Sequence, residues 1–430
     1  MAQRAGRPKT KHLRASDLRA GVRLASQAVH SIARVTEGVH QSVWSKLGLH
    51  NKAHPERTQG LTARVYQAIH HLTFAVGRGV DNTLARLQPS LERLEDSAAS
   101  SPEREAVLAA LNGVMGDHLL ESGSPLATAM NLYWGGQPVW DEAGRLAIAS
   151  KNSAASAKHK VLLLVHGLCM NEQLWDTQHQ GRAVNHGPTL AQAMGCSLVS
   201  LRYNTGLHIS TNGQMLATML EQLQADWPVP LHEIHVLAHS MGGLVVRSAV
   251  HRGITTQQTW PLLLKTIFFL GTPHHGAPLE RAGNRLDGIL ASTSTTAPLS
   301  RLTQLRSSGI TDLRYGFVLD QDWAGQDRFH RAPDHRTTLP LPEGVACYAV
   351  AGTLAGKSGL LATRLLGDGL VPLHSALGQH DDDARSLQFA KSSTFIAYRT
   401  NHLALLSSPT VAAQLLHWSS ANDPQTAVSS

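Results

Sequence analysis

Apolar side chains recur at helical spacing through the first part of the chain. Steps of three, four or seven residues separate them in residues 18–43 and 61–87, and a third stretch runs through residues 103–119. Such spacing puts apolar side chains on one face of an amphipathic helix. We therefore predict a helical N-terminal region over residues 1–125. Two interpretations of its apolar faces stay open, a packed bundle or flap and an interfacial helix that docks on lipid.

The pattern changes after Gly123, where short apolar runs bounded by turn residues replace the helical stripes. Tyr133–Trp140 contains two adjacent glycines and, with Leu146–Ala149, predicts a hairpin. Six further runs predict buried strands: Val161–Val165, Ser197–Leu201, Ile234–Leu237, Thr266–Leu270, Ala346–Ala351 and Thr394–Tyr398. Four stretches predict helices between or after them: Leu190–Met194, Gly213–Trp227, Met241–Arg252 and Thr410–His417.

Strands that alternate with helices form βαβ units, so residues 126–430 are predicted to be an α/β domain. Its sheet should be mostly parallel, with helices on both faces. Two polar interruptions, residues 277–342 and 353–392, are long for a compact domain. Insertions of this length usually form functional loops or lids. We interpret residues 277–342 as a lid-like insertion.

Composition and charge narrow the classes of function. The chain has 430 residues, of which 42% are hydrophobic and 16% charged, so it can bury a sizeable core. Aromatic residues make up only 5%, which argues against a base-stacking surface and a nucleic-acid partner. The net charge is +7, and five basic residues without an acid lie in residues 1–14. That segment predicts either contact with anionic lipid or nucleic acid, or a solvated terminus.

Cysteine usage and hydropathy bear on location. The three cysteines, Cys169, Cys196 and Cys347, are too few and too scattered for a disulfide framework. The sequence has neither an apolar run long enough for a transmembrane helix nor a compact apolar segment of the secretory type. We expect a cytoplasmic protein with peripheral membrane contact through its N-terminal region.

The sharpest chemical signal is the segment Ile234–Gly243, in which an apolar strand meets a helix at a serine. A serine on a tight strand-to-helix turn projects into solvent at the carboxyl edge of the sheet. Small residues are needed two positions to either side, and here these are Ala238 and Gly242. The helix N-terminus behind the serine favours negative charge. Ser240 is therefore the candidate nucleophile.

A second segment ends the strand Val161–Val165 with His166 and Gly167. Gly167 lets the backbone turn, so that the amide of Leu168 can point toward the same site as the amide of Met241. Backbone donors of this kind stabilise a developing oxyanion. We predict that Leu168 and Met241 form the oxyanion hole and that His166 is structural.

An acid and a base follow later strands. Asp368 lies between two glycines, where it can reach across a site and orient a histidine; the exposed-looking run Asp381–Asp383 is the competing choice. His402 comes after the last predicted strand and before the final helix. The chain order serine, aspartate, histidine is that of one serine-hydrolase fold. We predict the triad Ser240, Asp368 and His402.

These segments together resemble the α/β-hydrolase superfamily, with best similarity to its lipase and esterase branch. The segment Gly271–Gly276 resembles the Gly-Thr-Pro-His-x-Gly sequence of bacterial triacylglycerol lipases and of inositol-deacylase-like serine hydrolases. Gly367–Pro372 is similar to a further segment of those lipases. The resemblance covers roughly residues 158–417 and does not extend to residues 1–125.

The resemblance implies a carboxylic-ester hydrolase that acts on lipid-like acyl substrates through an acyl-enzyme intermediate and needs no cofactor. Acyl transfer, or cleavage of a thioester or amide, would use the same triad and stays open. A lipid-binding scaffold without catalysis is a third hypothesis, against which the complete triad argues. His330, Asp334 and His335 lie close in sequence but lack the tight ligand spacing of a zinc site, so we expect no metal.

Overall fold

The computed structural model describes residues 102–141, 143–147, 156–277, 306–326, 334–356 and 367–421. These residues fall into two compact units, one with residues 102–128 and 306, and one with the described residues of 129–277 and 307–421. The two predicted N-terminal helices at 18–43 and 61–87 lie outside the described residues. The proposed boundary near residue 125 and the extent of the helical region stay predictions.

In the first unit, helix α1 (Pro102–Glu121) follows the third predicted helical stretch. Asn112 fastens the chain that follows onto this helix. Its side-chain amide donates to the Leu126 carbonyl at 2.8 Å and its oxygen accepts from the Thr128 amide at 2.8 Å. A buried asparagine that satisfies both of its polar atoms in this way stabilises the turn after α1.

The second unit is built on a sheet of eight strands. Its strands are β1 (Asn131–Trp134), β2 (Gln137–Pro138), β3 (Lys160–Val165), β6 (Ser197–Arg202), β7 (Glu233–His239), β8 (Leu264–Leu270), β9 (Ala346–Thr353) and β10 (Thr394–Tyr398). Strands β4 (Gln178–His179) and β5 (Arg182–Ala183) form a separate two-stranded hairpin. The order across the sheet is β2-β1-β6-β3-β7-β8-β9-β10. The six strands from β6 to β10 in that order run parallel, and β1 and β2 pair antiparallel at one edge. All six predicted strands form, although in β10 only Ala397 is buried. The predicted hairpin is confirmed for β1 and β2, whereas Leu146 makes a single bridge to Trp140 and residues 148–149 lie outside the described residues. The polar β4-β5 hairpin carries no apolar pattern and was not predicted.

Helices follow the strands as the alternating pattern predicts. They are α2 (His186–Ala193), α3 (Ile209–Asp226), α4 (Met241–Thr255), the short α5 (Ser308–Asp312) and α6 (Leu373–Ala376), and α7 (Pro409–Ala421). None of the helices in the described part of the chain is both long and apolar enough to cross a membrane.

The helices cover both faces of the sheet. Leu164 and Phe268 share one face because the strand register aligns each with Leu237. A Cβ on Gly187 of α2 would lie 2.6 Å from Leu164, so α2 packs on this face. Neighbouring residues of a strand point to opposite faces, and a Cβ on Gly243 of α4 would lie 2.8 Å from the Phe269 ring. Helices α2 and α4 therefore lie on opposite faces.

The chain reverses direction of travel across the sheet beside β3. From β3 it crosses to β6 on one side, and through α3 it returns to β7 on the other side. Such a switch point opens a crevice at the carboxyl ends of the strands, where ligands bind in open α/β sheets. With the serine turn that follows β7, this architecture is an α/β-hydrolase fold, as predicted.

Candidate active site

Ser240 occupies a strained turn between β7 and α4. Its φ of 54° and ψ of −127° are unfavourable for a residue that has a side chain. The turn is held by the Ser240 amide, which donates to the Leu270 carbonyl of β8 at 2.8 Å, and by the Gly243 amide, which donates to the Ser240 carbonyl at 3.1 Å. Backbone strain of this kind is retained where surrounding contacts enforce it and is concentrated at functional sites.

The small residues around the serine have a steric reason. A Cβ on Gly242 would lie 2.5 Å from the His166 carbonyl oxygen and 2.6 Å from that of Val165. Both contacts are with backbone, which cannot move aside as a flexible side chain can. Ala238, the other small position, is completely buried. The helix α4 can therefore begin directly behind Ser240 only with glycine at position 242.

Asp368 and His402 form a direct buried pair. The Asp368 Oδ2 atom lies 2.6 Å from His402 Nδ1. The other carboxylate oxygen accepts hydrogen bonds from the Leu370 and Val371 amides at 2.9 and 2.8 Å. The His402 amide also donates to the Asp368 carbonyl at 3.0 Å. The carboxylate is therefore fixed at one oxygen and free to orient the imidazole with the other.

Glycines at the ends of two strands make room for this pair. A Cβ on Gly271, directly after β8, would lie 3.2 Å from both Asp368 Oδ2 and His402 Cε1. A Cβ on Gly352, within β9, would lie 2.8 Å from the Asp368 Cβ. A side chain at Gly352 would push against the acid, and one at Gly271 would crowd both the acid and the base.

His239 connects the serine turn to the base. Its ring centroid lies 4.6 Å from that of His402, and its Nε2 atom lies 3.1 Å from the His402 carbonyl oxygen. Ser240 follows His239 directly, and His402 follows β10, which ends at the same edge of the sheet as β7. The structure thus brings Ser240, Asp368 and His402 to one edge of the sheet.

The two predicted oxyanion donors flank the same turn. A Cβ on Gly167 would lie 2.9 Å from the Ser240 Cβ, so the loop after β3 passes directly against the serine. None of the hydrogen bonds between described residues uses the amide of Leu168 or of Met241 as a donor. Both amides therefore remain able to receive a negatively charged oxygen.

Thr205 and Tyr203, on the loop after β6, hold the loop that carries Leu168. Cys169 has a φ of 60°, and its amide donates to the Thr205 hydroxyl at 3.2 Å. The Tyr203 hydroxyl donates to the His166 carbonyl at 2.8 Å and its ring stacks on the His166 ring. Burial lowers the pKa of His166 to about 4, so this histidine is neutral and supports the loop. The sequence carries no local signal for these contacts.

The segment Gly271–Gly276 is hydrogen-bonded to the chain that follows the Asp368 turn. The Ser375 hydroxyl of α6 accepts from the His275 amide at 3.0 Å and donates to the Gly276 carbonyl at 2.7 Å. The His275 Nε2 atom bonds the Gly378 carbonyl at 2.9 Å. Helix α6 follows the Asp368 turn directly, so these contacts fix the acid relative to β8.

Helix α5, in the middle of the insertion at 277–342, packs beside the serine turn. A Cβ on Gly309 of α5 would lie 2.1 Å from the Thr205 carbonyl and 3.2 Å from the Met241 side chain. Asp312, at the end of α5, connects this helix to the start of α3. Its carboxylate accepts from the Ile209 amide and bonds His208 Nδ1 at 3.0 Å. Burial, only partly offset by these bonds, raises the pKa of Asp312.

The competing acids lie elsewhere. Asp381, Asp382 and Asp383 are all exposed, and Asp382 caps a short turn by accepting from the Ala384 amide. Asp334, one of the three clustered residues considered above, pairs with Arg336 and Arg385, while His330 lies outside the described residues. Within the part of the chain that the structure describes, no group of three or more potential metal ligands occurs.

A family described as a domain of unknown function, DUF7379, matches residues 132–312. No curated protein matches the sequence.

Solved structures that resemble the chain include three lipases or esterases. The mature lipase BlEst2 of Bacillus licheniformis is 19% identical, with a TM-score of 0.38, over 59% of this chain and 91% of that one. An esterase of Pyrococcus furiosus is 13% identical, with a TM-score of 0.33, over 62% and 80%. Lipase B of Aspergillus fumigatus is 11% identical, with a TM-score of 0.37, over 92% and 83%. At these values the likenesses carry no argument about activity, which depends on the site itself.

Proposed function

We propose that this protein is a serine hydrolase that cleaves carboxylic esters of lipid-like acyl substrates. The observation that carries the proposal is the pairing of a buried Asp368–His402 dyad with a strained serine turn at the same edge of the sheet. Neither feature is required for a stable α/β domain, and the strained turn costs stability. A scaffold without catalysis gives no reason to retain both.

In the proposed mechanism, Ser240 Oγ attacks the ester carbonyl carbon while His402 Nε2 takes the hydroxyl proton. Asp368 holds the other ring nitrogen and stabilises the imidazolium. The amides of Leu168 and Met241 bind the oxyanion of the tetrahedral intermediate, an interaction worth about 3–4 kcal/mol per donor. The C–O bond then breaks, the alcohol leaves with the proton from His402, and an acyl-enzyme remains.

Deacylation repeats these steps with water as the nucleophile. His402 removes a proton from water, the hydroxide attacks the acyl carbon, and the acid leaves as Ser240 recovers its proton. The same steps would give thioesterase or amidase activity if the leaving group were a thiol or an amine. They would give acyltransferase activity if a second alcohol replaced water in deacylation.

The preference for a lipid-like acyl group rests on the insertion at 277–342. Helix α5 of this insertion packs on Met241 and on the Thr205 loop that supports Leu168, so the insertion borders the candidate active site. We further propose that the basic segment at residues 1–14 brings a cytoplasmic enzyme to anionic membranes. Deletion of residues 1–14 should then weaken binding to anionic vesicles and leave turnover of a soluble ester unchanged.

The test of the proposed function is hydrolysis of p-nitrophenyl esters from acetate to palmitate by wild type and by Ser240→Ala. Serine-dependent turnover that peaks at long chains supports the proposal. A peak at short chains identifies an esterase and makes the insertion a specificity loop. If no ester is hydrolysed while a fluorophosphonate probe still labels the protein, the reaction is cleavage of a thioester or an amide, or acyl transfer to an acceptor other than water.

A further inference from the structure

His239 is a buried histidine whose single described side-chain bond reaches the base. It is the last residue of β7 and is fully buried. Its Nε2 atom lies 3.1 Å from the carbonyl oxygen of His402. Since a carbonyl oxygen can only accept, Nε2 must carry the proton and donate it. The residue before the nucleophile is thus bonded to the backbone of the base.

This bond completes a three-point attachment of His402. The ring is held at Nδ1 by the Asp368 carboxylate, and the amide is held by the Asp368 carbonyl. His239 holds the carbonyl, on the other side of the same α-carbon. Without it, the His402 backbone would be fixed at one end, and the ring could tilt away from Ser240.

The environment of His239 suits a group that stays neutral while its neighbour gains a proton. Complete burial lowers the pKa of His239 well below its usual value, and proximity to His402 lowers it further. The two ring centroids are 4.6 Å apart. A positive charge on His239 would therefore oppose protonation of His402, and burial removes that charge.

His239 also touches the oxyanion loop. A Cβ on Gly167 would lie 3.2 Å from His239 Nδ1 and 2.9 Å from the Ser240 Cβ. One ring therefore contacts the segments that carry the base and the oxyanion donor, and its backbone continues into the nucleophile. A residue that served only to fill the core would need no donor aimed at the base.

We propose that His239 is a positioning residue, which holds His402 in register with Ser240 by donating from Nε2 to the His402 carbonyl. This inference rests on the proposed function, since it assigns His402 as the base. It adds a residue that acts through the base and does not touch the substrate.

The chain offers a matched control in His186. This histidine is also buried, and its Nε2 atom bonds the Leu405 carbonyl at 2.9 Å, three residues beyond the base. Loss of either bond should lower the thermal midpoint by a similar amount, because each leaves one carbonyl without this donor. Only the bond from His239 reaches His402 itself. We therefore compare His239→Met with His186→Met.

The experiment measures the rate constant for fluorophosphonate labelling of Ser240, per folded protein, together with kcat and KM for an ester and the thermal midpoint. His239→Met should lower kcat and the labelling rate by about 10- to 100-fold, because small misplacements of a base have effects of this size. KM should change less than about twofold. His239→Gln, whose amide nitrogen can occupy the position of Nε2, should recover most of the rate. His186→Met should lower the thermal midpoint similarly and label at near the wild-type rate.

Three results would overturn the inference. One is a His239→Met enzyme that labels and turns over like wild type. Another is a His186→Met enzyme that is slowed as much as His239→Met, which would make the effect one of general stability. The third is a His239→Gln enzyme as slow as His239→Met. Failure of the proposed function would look different, because the wild type itself would then be neither labelled nor active.

Discussion

Replacement of Asp368 by asparagine is the most informative single change in the acid–base pair. In the native site, Oδ1 accepts from the Leu370 and Val371 amides and Oδ2 accepts from His402 Nδ1. Asparagine has one acceptor oxygen and one donor nitrogen of the same shape. The two backbone amides require an acceptor, so the asparagine oxygen should occupy the position of Oδ1. Its NH₂ group must then face His402.

That orientation selects the wrong tautomer of the base. An NH₂ group can only donate, so His402 Nδ1 must accept and its proton must move to Nε2. Nε2 then cannot take the proton of Ser240. Loss of the correct tautomer in a serine triad lowers kcat by about 10⁴-fold, which corresponds to about 5.4 kcal/mol in the activation free energy. The fold should survive, since every backbone donor keeps its acceptor.

The assay is kcat for the best p-nitrophenyl ester, normalised to folded protein by circular dichroism. Asp382→Asn is the control, because Asp382 is exposed and caps a distant turn through one oxygen. We expect Asp368→Asn to lose about four orders of magnitude and Asp382→Asn to stay near wild type. An Asp368→Asn enzyme within about tenfold of wild type, far short of that loss, would refute the reasoning.

Three further predictions concern the surroundings of the site. Gly242→Ala should lower stability by about 3 kcal/mol, because its Cβ would meet backbone oxygens, and a calorimetric midpoint lowered by about 6–12 °C would agree, whereas an unchanged midpoint would contradict it. Thr205→Val should remove the hydroxyl that accepts from the Cys169 amide and lower kcat more than it raises KM. Thr205→Ser, which keeps the hydroxyl, should be close to wild type, and equal kinetics for the two variants would speak against the role. Burial lowers the pKa of both His166 and His275 to about 4. Between pH 6.5 and 4 the unfolded chain therefore binds more protons than the folded one, so the free energy of unfolding measured with urea should decrease, for each histidine, by about 1.4 kcal/mol per unit by which the pH is lowered. A flat profile over that range would contradict the two shifts.

The central strands of this fold were predictable because each is a short apolar run buried on both sides. The runs at Val161–Val165 and Thr266–Leu270 became central strands in which nearly every residue is buried. Their order in the sheet was not predictable, because pairing β3 between β6 and β7 depends on contacts far apart in sequence. The same applies to β1, which lies antiparallel beside β6.

The candidate site divides in the same way. Ser240, Asp368 and His402 each have a local signal, since each follows a strand and has glycine or small neighbours or a characteristic place in the chain order. The supporting contacts have none. The bond from His239 joins residues 163 positions apart, and the one from Cys169 to Thr205 joins residues 36 apart. Histidine and threonine are compatible with many roles, so only the folded geometry assigns these.

The most direct test of the central claim is to locate the adduct of a fluorophosphonate probe by peptide mass spectrometry. The account predicts a single adduct on the peptide that contains Ser240, whose formation is abolished in Ser240→Ala and slowed by orders of magnitude in His402→Ala. An adduct on a different serine, or a Ser240→Ala protein that still labels at the wild-type rate, would contradict the assignment of Ser240 as the nucleophile.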